Sequence, residues 1–159
     1  MSPTGQDSYP IVIVGAGPIE EDLKRQAREQ KLSTIHFLGQ LSDEDKVALL
    51  KQCTGVLFPS HLRSEAFGVS LLEGAMYGKP MISSEIGTGT SFINVGGETG
   101  LVIPPSDPDA LRHAMQYVWE HPSVAAERGR WAQERYWGQF TADKMAHAYV
   151  DLYRELLAS

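Results

Sequence analysis

Short, continuous apolar runs rich in β-branched residues alternate along this chain with stretches of helical period, and that alternation leaves few folds open. The first run, Ile11-Val12-Ile13-Val14, ends in a glycine turn, Gly15-Ala16-Gly17-Pro18, and a helical pattern follows over residues 19–31. Residues 34–38 read as a second strand. Residues 43–52 read as a second helix, with Ser42 as its N-cap and acids in its first turn to suit the dipole. A third strand over 55–59 leads into a third helix over 67–77 that Gly78 closes, and 79–83 and 100–103 read as fourth and fifth strands. Runs that are apolar at every position belong to strands buried on both faces. The pattern therefore predicts an α/β fold, a doubly wound parallel sheet with helices on both sides. The C-terminal third reads as helix throughout, with apolar stripes at Leu111, Ala114, Met115 and Val118, then at Met145, Ala148, Tyr149, Leu152 and Leu156.

Composition narrows the classes. A length of 159 residues suits one domain, or one half of a larger enzyme. The formal net charge of −6 gives no basic surface for nucleic acid or for anionic lipid. No apolar run is long enough to span a membrane, and residues 1–8 lack the basic and apolar regions of a signal peptide. Residues 1–9 are expected to be a poorly ordered leader or remnant, and 10–159 the domain. The single cysteine, Cys53, excludes an internal disulfide and is expected to be a small buried side chain. The five histidines show no metal-ligand spacing, and no Gly-x-Ser-x-Gly elbow offers a serine nucleophile. The Gly15–Pro18 turn lacks the third glycine of a dinucleotide fingerprint, because Glu20 stands there.

Chemistry concentrates in Ser64-Glu65-Ala66-Phe67-Gly68-Val69-Ser70-Leu71-Leu72-Glu73. It follows a strand and opens a helix, so the unpaired N–H groups of a first helical turn face whatever lies in front of it. Such a turn favours an anion. Glu65 is placed in the loop at its mouth, and Glu73 about a turn and a half inside. An anion flanked by two carboxylates suits a sugar nucleotide, with the diphosphate at the helix end and hydroxyl groups on the acids.

Glu65 through Glu73 resembles the paired-glutamate motif of retaining GT-B glycosyltransferases, in the group 1 family that uses nucleotide-sugar donors. The resemblance extends over 10–157: the strand and turn at Val12–Pro18, then His36-Phe37-Leu38-Gly39-Gln40-Leu41, Gly78-Lys79-Pro80, Glu98-Thr99-Gly100-Leu101-Val102-Ile103-Pro104-Pro105 and Asp107-Pro108-Asp109-Ala110-Leu111 follow in the family's order. It implies the Rossmann-like, donor-binding half of a GT-B fold with a helical C-terminal third. Glu73 then accepts the two ribose hydroxyls, and Glu65 contacts the sugar and acts at the catalytic centre. Backbone N–H groups of Phe67, Gly68, Val69 and Ser70 bind sugar and diphosphate. Gly17 in the first turn, and Leu41 and Lys46 near the base, complete the donor site. No cofactor and no metal are implied; the substrate is the nucleotide sugar.

Ser84–Ser91 with Phe92-Ile93-Asn94 resembles the subgroup that builds bacterial surface polysaccharides such as lipopolysaccharide, often from GDP-mannose. A UDP-hexose donor, or a non-catalytic donor-binding subunit with a separate acceptor partner, remains the alternative. The family's half begins with one more strand followed by an arginine and a lysine that grip the diphosphate, and neither is recognisable before Pro10. The acceptor-binding half is missing as well, so this chain alone is expected to be inactive. The parent is expected to be cytoplasmic, at the inner face of the membrane if it meets one.

Overall fold

The computed structural model describes residues 9–158, in two compact units, one up to Lys51 and one from Gln52 onward. Except for Tyr9, the expected leader lies outside the described residues.

In the first unit, β1 (Ile11–Val14) and β2 (Ile35–Gly39) pair in parallel, Ile11 opposite Ile35 and Ile13 opposite Phe37, with a slip that sets Val14 opposite Gly39. The helices α1 (Glu20–Glu29) and α2 (Asp43–Gln52) follow their strands as expected, each with three acids in its first turn. Ser42 caps α2: its Oγ accepts the Asp45 N–H at 3.1 Å and donates to Asp45 Oδ2 at 2.8 Å, a reciprocal arrangement that satisfies an otherwise orphaned donor. Neither helix has a fully buried residue, and Val12, Ile13 and Val14 are 37–39% exposed.

The second unit holds a three-stranded parallel sheet in the order β3 (Val56–Phe58), β4 (Met81–Ser84), β5 (Gly100–Ile103). Its helices are α3 (Val69–Met76), α4 (Thr90–Ile93), α5 (Pro108–Glu120), α6 (Pro122–Gln139) and α7 (Ala142–Ala158). Central β4 is buried along its whole length. Its alternate residues face two cores: Met81 joins Leu71, Ala75, Ile93 and Ala132, while Ile82 joins Ile103, Ala114, Val118 and Ala125. Period-two strand geometry thus distributes one strand between two helical layers. Small residues let helices close on their neighbours: a Cβ on Gly74 of α3 would stand 2.9 Å from Val56 Cγ2 of β3, and one on Gly129 of α6 would collide with the Gly78 carbonyl.

Every strand pairing is parallel, so the α/β expectation holds, but the strands form two sheets rather than one. The short helix α4 reads as loop in the sequence because four residues carry no period. The apolar stripe of α7 is present yet uncovered: Met145, Tyr149 and Leu156 are more than half exposed, since no layer among the described residues lies over them.

Candidate functional site

The loop after β3 and the helix it feeds form the core of the site. Phe58 ends the strand, and a turn closed by the Glu65 N–H on the Leu62 carbonyl (3.2 Å) directs the chain back toward α3. Gly68, φ +89°, stands immediately before the helix in left-handed conformation, which an L side chain adopts only at a cost. A Cβ there would also crowd Leu71 Cδ1 at 3.1 Å and Thr90 Cγ2 at 3.3 Å. The Gly68 N–H donates to Glu65 Oε1 at 2.9 Å. Thus Glu65 is placed at the mouth of α3, as expected, but one of its oxygens already holds the backbone donor assigned to the ligand. The first turn of α3 contains no acid, unlike those of α1 and α2. Phe67, Val69 and Ser70 are exposed around this end of the helix. Glu73 is half-buried on the fifth helical position, next to Gly74, which faces β3.

A second loop, after β4, braces the first. The Gly89 N–H donates to the Ala66 carbonyl at 2.9 Å, and a Cβ on Gly89 would run into Phe67. Buried Thr90 begins α4 beside Gly68. Glu85 folds over its own loop, its Oε1 accepting the Gly87 N–H at 2.9 Å and the Ser91 hydroxyl at 3.4 Å. At the far end of α4, Arg135 donates to the Phe92 carbonyl at 2.7 Å, its guanidinium over the Phe92 and Phe140 rings at 5.1 and 5.5 Å.

Beneath the braced loops lies a buried polar lock. Asn94 Nδ2 donates to Ser83 Oγ (2.8 Å) and the Leu101 carbonyl (3.0 Å), and Asn94 Oδ1 accepts from Thr99 Oγ1 (3.1 Å). Gly100 passes so close to Asn94 Oδ1 and the Met81 carbonyl that no Cβ fits. Sequence reasoning noticed the Thr99-Gly100 segment only as resemblance and missed the role of Asn94. The signal available was an amide ahead of a Thr-Gly pair that opens an apolar strand.

The structure brings Glu65, Phe67, Gly68, Val69, Ser70 and Glu73 together around one helix end. Gly17, Leu41 and Lys46 belong to the other unit. There Gly17 is exposed in the first turn and borders a cleft of about 200 Å³ with Ile13, Ile19 and Phe37. Leu41 is half-buried before the α2 cap, and Lys46 Nζ lies 2.9 Å from Asp43 Oδ1. His61 is exposed. Cys53, directly after α2, is half-buried, and burial pushes its thiol pKa up despite nearby Lys79, whose Nζ donates to the Cys53 carbonyl at 2.8 Å. Among the described residues no group of three or more His, Cys, Asp and Glu side chains could hold a metal ion, and no helix is long and apolar enough to cross a membrane.

Residues 3–135 match the family model described as glycosyl transferases group 1. Over 134 residues the chain is 66% identical to the D-rhamnosyltransferase WbpZ of Pseudomonas aeruginosa, covering 84% of this chain and 35% of that protein. It is 52% identical over 150 residues to O-antigen chain mannosyltransferase C of Escherichia coli, covering 94% of this chain and 40% of the relative. Among solved structures, sucrose-phosphate synthase from Thermosynechococcus elongatus superposes with a TM-score of 0.78 at 29% identity, over 92% of this chain and 38% of that one. The chain thus spans only about a third to two-fifths of the length of the proteins it matches.

Proposed function

The chain belongs to the group 1 glycosyl transferases, and from that premise we propose that it is the donor-binding half of a retaining transferase of bacterial surface-polysaccharide synthesis, with GDP-mannose as donor. The observation that carries this reading is the acid-free end of α3 behind left-handed Gly68, with Glu65 at its mouth and Glu73 inside it. The N–H groups of Val69 and Ser70 receive the diphosphate, where the helix dipole favours negative charge. Glu73 accepts both ribose hydroxyls, as a carboxylate with two oxygens can. Glu65 keeps Oε1 on Gly68 and offers Oε2 to the sugar, so the bond that holds the loop also orients the catalytic acid group. The reading invokes no metal, because fixed dipoles and cationic side chains neutralise the departing diphosphate. Catalysis requires the acceptor-binding half and the family's first strand, both outside the described residues, in a parent that works in the cytoplasm or at the membrane's inner face.

A 6-deoxy donor is the second reading, favoured by the higher identity to a D-rhamnosyltransferase than to a mannosyltransferase. D-rhamnose differs from D-mannose only in lacking the C6 hydroxyl, so the two donors would occupy one site.

The test is calorimetric titration of the chain with GDP, GDP-mannose, GDP-D-rhamnose, UDP and UDP-glucose, beside Glu73→Ala. The reading expects saturable binding of the guanosine series. Two charge-assisted hydrogen bonds are lost in the variant, so it should bind about 100-fold more weakly or worse. Uridine-only binding would replace the donor. No binding of either series at millimolar ligand would refute donor binding by this chain.

A further inference from the structure

We propose that Arg63 binds the donor's diphosphate, supplying from the loop after β3 a positive charge that the paired-glutamate motif itself does not contain. The inference rests on the donor-binding reading and adds a residue to it.

Three observations carry it. First, Arg63 is exposed in the Leu62–Glu65 turn, and among the described residues it makes no hydrogen bond and no ion pair. Of the other seven arginines six are engaged: Arg25, Arg112, Arg130 and Arg154 lie within ion-pair distance of acids on their own helices, and Arg128 and Arg135 donate to carbonyls; Arg28, the seventh, lies in α1 of the first unit.

Second, both carboxylates of the surrounding loops are held by backbone donors instead. Glu65 takes the Gly68 N–H and Glu85 takes the Gly87 N–H. Each acid thus has one oxygen committed to the backbone, and neither pairs with the Arg63 guanidinium.

Third, the guanidinium is given a place. A Cβ on Gly87 would stand 3.0 Å from Arg63 Nη1, so the missing side chain at Gly87, φ +66°, makes room for it against the β4 loop. That loop is clasped to Ala66 through the Gly89 N–H and packs Thr90 beside Gly68. Arg63 therefore belongs to the cluster that shapes the acid-free end of α3. A planar guanidinium matches a diphosphate's paired oxygens bidentately, which a helix end alone does not.

The experiment titrates wild type, Arg63→Gln and Arg63→Lys with GDP, GMP and guanosine at low and physiological salt. Circular dichroism melts establish that each variant is folded. Arg63→Gln is expected to weaken GDP about tenfold or more, guanosine less than about twofold, and to flatten the salt dependence of GDP binding. Arg63→Lys keeps the charge and recovers part of the loss. GDP affinity in Arg63→Gln within about twofold of wild type would overturn the inference while leaving the donor reading intact. An equal loss for guanosine would assign Arg63 a structural part and overturn it too. Absence of GDP binding in the wild type would remove the donor reading, and this inference with it.

Discussion

Replacing Asn94 should cost the second unit a large share of its stability, and the order of two variants tests the lock's polarity. The side chain is fully buried. Its Nδ2 must face the Leu101 carbonyl, which can only accept, and its Oδ1 must face the Thr99 hydroxyl, which donates to it. Asn94→Ala leaves that carbonyl and that hydroxyl short of a partner, at ~1 to 3 kcal/mol each. A void of side-chain size adds ~1 kcal/mol. The sum, roughly 3 to 7 kcal/mol, is a third or more of a stability near the middle of the usual ~5 to 15 kcal/mol.

Asn94→Asp keeps the shape and the Thr99 acceptor. It also turns oxygen lone pairs toward the Leu101 and Met81 carbonyls and buries a carboxyl, so at neutral pH it should be at least as damaging as alanine. Burial raises that carboxyl's pKa in the folded state. The folded aspartate variant then holds a proton that the unfolded chain has released, so its stability falls as pH rises above about 4. Urea unfolding followed by tryptophan fluorescence reads the right unit, because Trp119, Trp131 and Trp137 all lie on α5 and α6. With a slope of ~1 to 2 kcal/mol per molar, the alanine midpoint should drop by about 1.5 M or more. A drop below about 0.5 M, or an aspartate variant more stable than alanine at pH 7, would refute the assignment.

Gly68→Ala should lower stability by about 2 to 3 kcal/mol, from the left-handed backbone and the crowding at Leu71 and Thr90, and should weaken GDP-mannose more than GDP; equal weakening of the two ligands would contradict the sugar's proposed approach to Gly68. Cys53, its thiolate disfavoured by burial, should react with iodoacetamide at pH 8 at least about tenfold more slowly in the folded protein than in urea. Comparable rates would show that the thiol is open to solvent.

The sequence made the elements legible where periodicity or capping is strong. The strands β1 and β5 and the helix α2 fall on the residues expected, α5 carries the stripe Leu111 to Val118, and Asp107 caps α5 through the Ala110 N–H at 2.9 Å. Placing Glu65 and Glu73 around the start of α3 was equally legible, because an apolar strand, a short loop with a glycine and a helical period fix where the helix begins. Illegible were contacts made across the fold by ordinary polar residues. Nothing in a Ser-Glu-Ile-Gly-Thr-Gly-Thr run announces that Glu85 bends onto Gly87 or that Gly89 clasps Ala66. Nor does the motif reveal that the Glu65 carboxylate accepts the Gly68 N–H, which ties one of its two oxygens into the scaffold.

Strand pairing was the other thing periodicity could not supply. An apolar run says that a strand belongs in a covered parallel sheet, not which neighbours it has. In the doubly wound order 3-2-1-4-5-6, the first strand lies between the second and the fourth. Take it out, and the order leaves a pair, 3-2, and a triplet, 4-5-6. Those are the pairings observed: β2 with β1, and β3 with β4 with β5. The proposal that the family's first strand lies outside the described residues thus accounts for two sheets where one was expected, without any fault in the strands themselves. It also accounts for the exposure of Val12, Ile13 and Val14, whose composition is that of an interior strand. Apolar residues that are more than a third exposed on a parallel strand mark a place where a partner is due.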